Sequence, residues 1–145
     1  MKVLFRRLRP DAVIPTAGSR YAAGYDLYAC LDSESVTIAP HETVPVGTGL
    51  AVAVPEGYFA AIFARSGLAA KQSLRPANCV GVCDSDYRGE YIVALHNDSD
   101  SPRTIANGER VAQMVVLPYL SIDFEETDAL PETERGAGGF GSTGK

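Results

Sequence analysis

The sequence predicts an all-β protein, a sandwich, barrel or jelly roll with one short helix, and three observations predict it. Helical periodicity is nearly absent along the chain. The apolar runs are short and are broken by Gly, Pro, Asn and Asp. Turn signals recur between them, as "PEG" at 55–57, "NDSDSP" at 97–102 and "ANG" at 106–108. Many short strands with regular turns belong to a β domain rather than to strands alternating with helices.

In chain order, the expected strands are "KVLFRRL" (2–8), "YDLYACL" (25–31), "SVTIAP" (35–40), "TVPVGTGLAVAVP" (43–55) and "GYFAAIFAR" (57–65). They continue with "EYIVALHN" (90–97), "RTIANGERVAQMVVLPYL" (103–120) and "IDFEET" (122–127). "RSGLAAKQSL" (65–74) is the one good helix candidate. In "EYIVALHN", Tyr91, Val93 and Leu95 share one face and Ile92, Ala94 and His96 the other. Both faces are mostly apolar, which predicts a central strand.

The chain has 145 residues, 46% hydrophobic and 21% charged, which suits a single globular domain. A chain of that length buries roughly 70% of its unfolded surface, enough for a core without staples. The net charge of −5 argues against broad nucleic-acid binding but leaves room for a small anionic ligand. Cys30, Cys79 and Cys83 show no zinc spacing and are expected as buried small hydrophobes in a reduced, cytoplasmic chain. The basic N-terminus is followed by no long apolar run, so neither a signal peptide nor a membrane span is expected. His41 and His96 read as structural or surface residues. After about Phe124 large apolar residues become rare, which divides the chain into a β core (1–124) and an extended arm (125–145).

Several clusters can carry chemistry, each with a bland alternative. "GVCDSDYRGEY" holds two acids, Asp84 and Asp86, in what is otherwise an ordinary polar turn. A carboxylate there can orient and deprotonate a water, and Tyr87 can pack on a flat ligand, but local spacing does not say which acid acts. "ARSGLAAK" sets Arg65, Ser66, Gly67 and Lys71 together, a simple turn or a polyphosphate site. Asp26 lies in an apolar strand and must find a partner, an Arg or a metal-bound water. Gln113 interrupts the apolar run of "GERVAQM". No Ser/His/Asp or Cys/His arrangement stands out.

The tail "RGAGGFGSTGK" mimics the spacing of a P-loop and of a dinucleotide fingerprint. Both motifs need a strand before and a helix after, and here "PETE" precedes the glycines and the given sequence stops at Lys145. A mobile glycine ribbon carrying Arg135 for a phosphate, Phe140 for a ring, and Ser142 and Thr143 for an anion suits a lid over a nucleotide.

Taken in order, "AAGYDLYA" (22–29), "ARSGLAAK" (64–71), "NCVGVCDSDYRG" (78–89), "GERVAQ" (108–113) and "RGAGGFGSTG" (135–144) resemble the five motifs of the trimeric dUTPase family. Each is weak alone, and five in order with family-like spacing are specific. The resemblance implies a β jelly roll of the β-clip type, assembled as a homotrimer whose active sites are shared between subunits. The arm of one subunit would close over a site formed by the other two. The implied reaction is hydrolysis of dUTP to dUMP and pyrophosphate, which removes dUTP from the nucleotide pool and supplies dUMP for dTMP synthesis. Neither nucleic acid nor a membrane is implied as a partner.

By the same resemblance Asp84 is the base that activates water for attack on the α-phosphorus. Asn78 and the backbone of Val80, Gly81, Val82 and Cys83 read the uracil, and Tyr87 packs on the deoxyribose and rejects a 2′-hydroxyl. Arg65, Ser66, Gly67 and Gln113 bind phosphates. Arg135 holds the γ-phosphate, Phe140 with Gly141 covers the base, and Ser142 and Thr143 add phosphate contacts. Mg2+ rides on the triphosphate with no direct protein ligand, and Asp26 is the acid near its bound water. Two departures are mild: Ala64 stands where relatives carry Pro, and Cys83 where Ile or Val is usual. Two alternatives are weaker. A dCTP deaminase shares the fold but needs a catalytic Glu where this chain has Ala94, and a non-catalytic nucleotide sensor would not need Asp84, Tyr87 and a complete arm.

Overall fold

A computed structural model describes residues 1–139. Among these, the chain forms twelve strands and one short helix. The largest sheet has five strands. At its centre lies β12 (Arg110–Pro118), the longest strand, with β3 (Tyr25–Tyr28) on one side and β7 (Tyr58–Phe63) on the other. Beyond them lie β2 (Thr16–Ala17) and β9 (Val80–Cys83), which form the sheet's two edges. A three-stranded sheet places β10 (Ile92–Asn97) between β5 (Thr43–Gly47) and β8 (Leu74–Pro76). Two ribbons complete the fold, β1 (Leu4–Arg7) with β6 (Leu50–Ala53) and β4 (Ser35–Ile38) with β11 (Arg103–Ala106). Every pairing is antiparallel. Leu27, Ile38, Val46, Leu50, Leu74, Leu95 and Ile105 are fully buried between these layers.

Two runs expected as single strands are each divided by a glycine. The run 43–55 breaks at Gly49, whose φ of +66° favours glycine. A Cβ there would lie 2.8 Å from the Ala12 Cβ and 2.9 Å from the Cys30 Sγ. The chain therefore leaves β5 for a different pairing in β6. The run 103–120 breaks at Asn107–Gly108, with φ +77° at Gly108, and β11 pairs with β4 rather than with β12. The sequence "IDFEET" is not a strand: β12 ends at Pro118, and residues 118–137 are exposed. Among the described residues, Ile122 and Phe124 pair with no strand and stay exposed.

The expected helix is α1 (Ser66–Gln72). Leu68 anchors it in the core, and Ser73 closes it in the left-handed region, its N–H bonded to the Leu68 carbonyl. Central placement holds for β10, which is paired on both edges. One face of β10 is buried through Val93 and Leu95, in line with the buried Tyr91 just before it, but Ile92 on the other is 56% exposed. Among the described residues, no helix is long and apolar enough to cross a membrane.

Candidate active site

The nucleoside-sized slot is built by β9 and β10. β9 pairs with β7 from Ala60↔Cys83 to Phe63↔Val80, and its other edge is unpaired. An edge strand presents free N–H and C=O groups, ready to read the rim of a flat ligand. The link 77–79 turns sharply, with Cys79 at φ +58°. A cavity of about 270 Å³ opens between the two strands, lined among others by Asn78, Gly81, Cys83, Asp84, Tyr87 and Tyr91. Gly81 keeps it open: a Cβ there would sit 3.1 Å from the Ile62 Cβ and 3.4 Å from the Asn78 Nδ2. Val82 also lines the slot, whereas Val80 does not and contributes only backbone to β9.

The two acids separate in space. Asp84 stands exposed at the slot's mouth and lines both the slot and a wider outer depression. Asp86 lines only the outer depression, beside Glu56 and Arg88. Tyr87 N–H donates to the Asp84 carbonyl at 3.2 Å, closing the turn that carries both residues. The ring of Tyr87 is 43% exposed and lies against Tyr91, with centroids 6.1 Å apart. Gly89 makes room for that ring, since a Cβ at 89 would lie 2.6 Å from its Cζ.

A second group forms further along the same sheet. Asp26 on β3 is 14% exposed, and its Oδ1 accepts from Arg65 Nε at 2.8 Å while its Oδ2 accepts from Arg110 Nη1 at 3.3 Å. The acid thus finds arginine partners, as its burial requires. Ser66 and Gly67 are exposed at the start of α1, with open space around Gly67. Gln113 stands opposite Asp26 in the β12–β3 register. Its Nε2 donates to the Ala64 carbonyl at 2.9 Å, and its Oε1 fills the space that the absent side chain of Gly24 leaves.

A single chain does not gather all these residues in one pocket. Gln113 is in register with Phe63, and Phe63 with Val80. Asp84 lies just past the end of β9, whose four residues from Val80 to Cys83 span roughly 10 Å. Arg135 lies on the exposed segment after β12, its Nε donating to the Gly138 carbonyl at 2.8 Å, and it lines neither the slot nor the depression. The expected contacts Phe140, Gly141, Ser142 and Thr143 lie outside the described residues.

Sequence reasoning missed Glu90, Tyr91 and a role for Arg110. Arg110 is opposite Tyr28, two residues from Asp26 and on its face, beside a register shift between Arg110 and Ala112. Only strand register reveals that pairing. Glu90 follows the quoted motif and has no local partner in sequence; its Oε1 accepts from Gly49 N–H at 2.7 Å across the fold.

The cysteines differ from expectation at one position. Cys30 is buried, Cys83 is half-buried and Cys79 is exposed, because it occupies the tight left-handed turn before β9. Burial pushes the thiols of Cys30 and Cys83 up, and burial likewise pushes the Tyr91 phenol above its ordinary value. His41 meets Asp100 at 2.9 Å and His96 Nδ1 meets Thr43 Oγ1 at 2.9 Å, both away from the slot. Among the described residues, no three His, Cys, Asp or Glu side chains gather as a metal site. Both Asp26 oxygens are engaged by guanidinium groups, so the donors present fit an ion carried by a ligand better than a resident one.

An edge-strand slot with a carboxylate at its lip and an arginine cradle on the same sheet are the parts of a β protein that handles a nucleoside phosphate. Residues 11–144 match the dUTPase family. The chain is 48% identical over 144 residues to the deoxyuridine 5′-triphosphate nucleotidohydrolase of Hydrogenobaculum sp. (strain Y04AAS1), covering 99% of each. It is 45% identical to the enzyme of the same name from Nautilia profundicola over 145 residues, covering all of both. The dUTPase of Staphylococcus bacteriophage 80alpha, in a mutant structure with dUpNHpp, superposes with a TM-score of 0.90 at 26% identity, covering 99% of each chain. The chain belongs to the dUTPase family.

Proposed function

We propose that this chain hydrolyses dUTP to dUMP and pyrophosphate, with Asp84 as the general base. The reading is carried by one observation: of the two neighbouring acids, Asp84 lines the slot and Asp86 does not. Uracil enters the slot, where the unpaired edge of β9 from Val80 to Cys83 and the Asn78 amide meet its polar edge. A narrow slot between β9 and β10 leaves no room for the methyl group of thymine. The ring of Tyr87 packs on the deoxyribose where a 2′-hydroxyl would otherwise sit.

The triphosphate runs from the slot toward a set of arginines. Asp84 accepts a proton from water as the water oxygen attacks the α-phosphorus, the α–β bridging P–O bond breaks, and pyrophosphate leaves with that bond's electrons. Mg2+ would be held by the substrate's phosphates rather than directly by a carboxylate of this chain, and it would supply neutralisation of their charge. Arg65, with Ser66 and Gly67, binds the phosphates, and Gln113 holds the Ala64 backbone before Arg65 in place. Asp26 orients Arg65 through its 2.8 Å contact.

The separation of Asp84 from the Arg65 cradle within one chain supports a homotrimer of jelly-roll subunits with sites shared between them. An apolar cleft of about 530 Å³ between the N-terminal strand and the central sheet, lined by Phe5, Ile14, Tyr25, Met114 and Val116 among others, suits burial against another copy. Residues 125–145 act as the arm that brings Arg135 and Phe140 to a neighbour's site.

The deciding experiment measures pyrophosphate release from dUTP, UTP, dTTP and dCTP with Mg2+. Release from dUTP alone, lowered about a thousandfold by Asp84→Asn with the fold intact, is expected. Equal slow turnover by parent and variant would reject the assignment.

A further inference from the structure

We infer that Glu90 and Tyr91 form a two-point mount for the ring of Tyr87, and that Tyr91 is therefore a positioning residue for sugar discrimination; the inference rests on Tyr87 facing the sugar. Tyr87 lies on an exposed turn, where an unsupported ring would sample several rotamers before ligand binds. Its tip is held because Tyr87 Oη donates to the Glu90 carbonyl at 3.0 Å. Its face is held because the Tyr91 ring lies against it at 6.1 Å with 29° between planes, an offset-stacked geometry. Gly89 between them carries no side chain that would displace the ring.

The mount is itself fixed to the core. Tyr91 is 2% exposed. Its N–H donates to the Leu50 carbonyl at 2.8 Å, and its own carbonyl accepts from Thr48 N–H at 3.2 Å and Thr48 Oγ1 at 2.7 Å. The Glu90 carboxylate accepts from Gly49 N–H at 2.7 Å, and a Cβ at Gly47 would fall 2.6 Å from the same oxygen. The β5–β6 turn thus grips both residues that hold Tyr87. Among the described residues, the buried Tyr91 hydroxyl has no hydrogen-bond partner, so the ring and not the hydroxyl does the positioning.

The test compares kcat/KM for dUTP and UTP, with Mg2+, in the parent, Tyr91→Leu, Tyr91→Phe, Gly89→Ala and Tyr87→Ala. Tyr91→Leu keeps apolar bulk and removes the stacked ring, and it lowers the dUTP/UTP ratio about two- to tenfold. Tyr91→Phe keeps the ring and retains the parental ratio, which a merely structural role for the hydroxyl would not give. Gly89→Ala leaves Tyr91 in place, displaces the Tyr87 ring and lowers the ratio, so the inference stands testable even if Tyr91→Leu does not fold. An unchanged ratio in folded Tyr91→Leu or in Gly89→Ala overturns the mount, as does an equal loss in Tyr91→Phe and Tyr91→Leu. Tyr87→Ala separates the levels: if it leaves the ratio unchanged, Tyr87 does not read the sugar and both readings fall. If it lowers the ratio while Tyr91→Leu does not, the mount alone fails.

Discussion

Replacing Asp26 by Asn distinguishes two jobs for that acid, orienting Arg65 or holding a water on Mg2+. The substitution keeps the shape and one acceptor oxygen but removes the charge shared by Arg65 and Arg110. The contact at risk is the 2.8 Å bond from Arg65 Nε, between side chains 24% and 14% exposed. A charge-assisted bond contributes about 1.5–3 kcal/mol and its neutral counterpart about half of that. The loss is therefore about 0.75–1.5 kcal/mol, and the half-exposed Arg110 adds little because solvent screens it. Expressed in substrate binding, that is roughly a three- to twelvefold rise in KM for the Mg2+ complex of dUTP. The assay titrates substrate at saturating Mg2+, then Mg2+ at saturating substrate. Orientation of Arg65 predicts the KM rise with the Mg2+ dependence unchanged. A shifted Mg2+ dependence with parental KM would refute it and favour the water-mediated role.

Three further outcomes follow from particular contacts. Gly49→Ala forces a side chain into φ +66° and against Ala12 and Cys30, and calorimetry should show a melting temperature lower by several degrees, from a loss of about 2–3 kcal/mol. The Tyr91 phenol is raised by burial, so above its ordinary value of 10.0 the unfolded chain releases a proton that the folded chain keeps. That contribution is complete below pH 10 and declines as pH rises further; Tyr91→Phe should flatten the alkaline limb of stability measured by denaturant. Ending the chain at Glu134 removes no buried residue among those described, and circular dichroism should show an intact fold while pyrophosphate release nearly vanishes.

The β class and most strands were legible because period-two apolar runs and Gly, Pro, Asn and Asp turns are local signals. The breaks at Gly49 and Gly108 were less so, because the glycines matter through backbone dihedrals and, at Gly49, the distant neighbours Ala12 and Cys30. Asp26 was legible as an acid in need of a cation, and Arg65 as a phosphate-type arginine. That the two meet, with Arg110 as a third member, depends on the β12–β3 register and its irregularity. The choice of Asp84 over Asp86 came from the family resemblance and not from local spacing, since two acids separated by one turn residue carry no signal of which faces a slot between β9 and β10. Tyr91 read as a core residue, and it is one; its second contact, with Tyr87, required the turn to fold back over Gly89.

The distance between Asp84 and the arginine cradle has a consequence that can be counted. Take one variant that lacks the base, Asp84→Asn, and one that lacks the phosphate contact, Arg65→Ala; each alone should be nearly inactive. If both groups of a site came from one chain, mixing the two variants would create no site with both intact. If they come from different chains of an assembly, random exchange of equal amounts leaves each group intact in half of the positions. Roughly a quarter of the sites then have both, and the mixture should recover about a quarter of parental activity. The recovery should grow as subunits exchange during refolding from denaturant and should be absent when the variants are mixed as folded, non-exchanging assemblies. Absence of recovery after verified co-assembly would mean that a single chain brings Asp84 and Arg65 to one site, and the shared-site reading would fail.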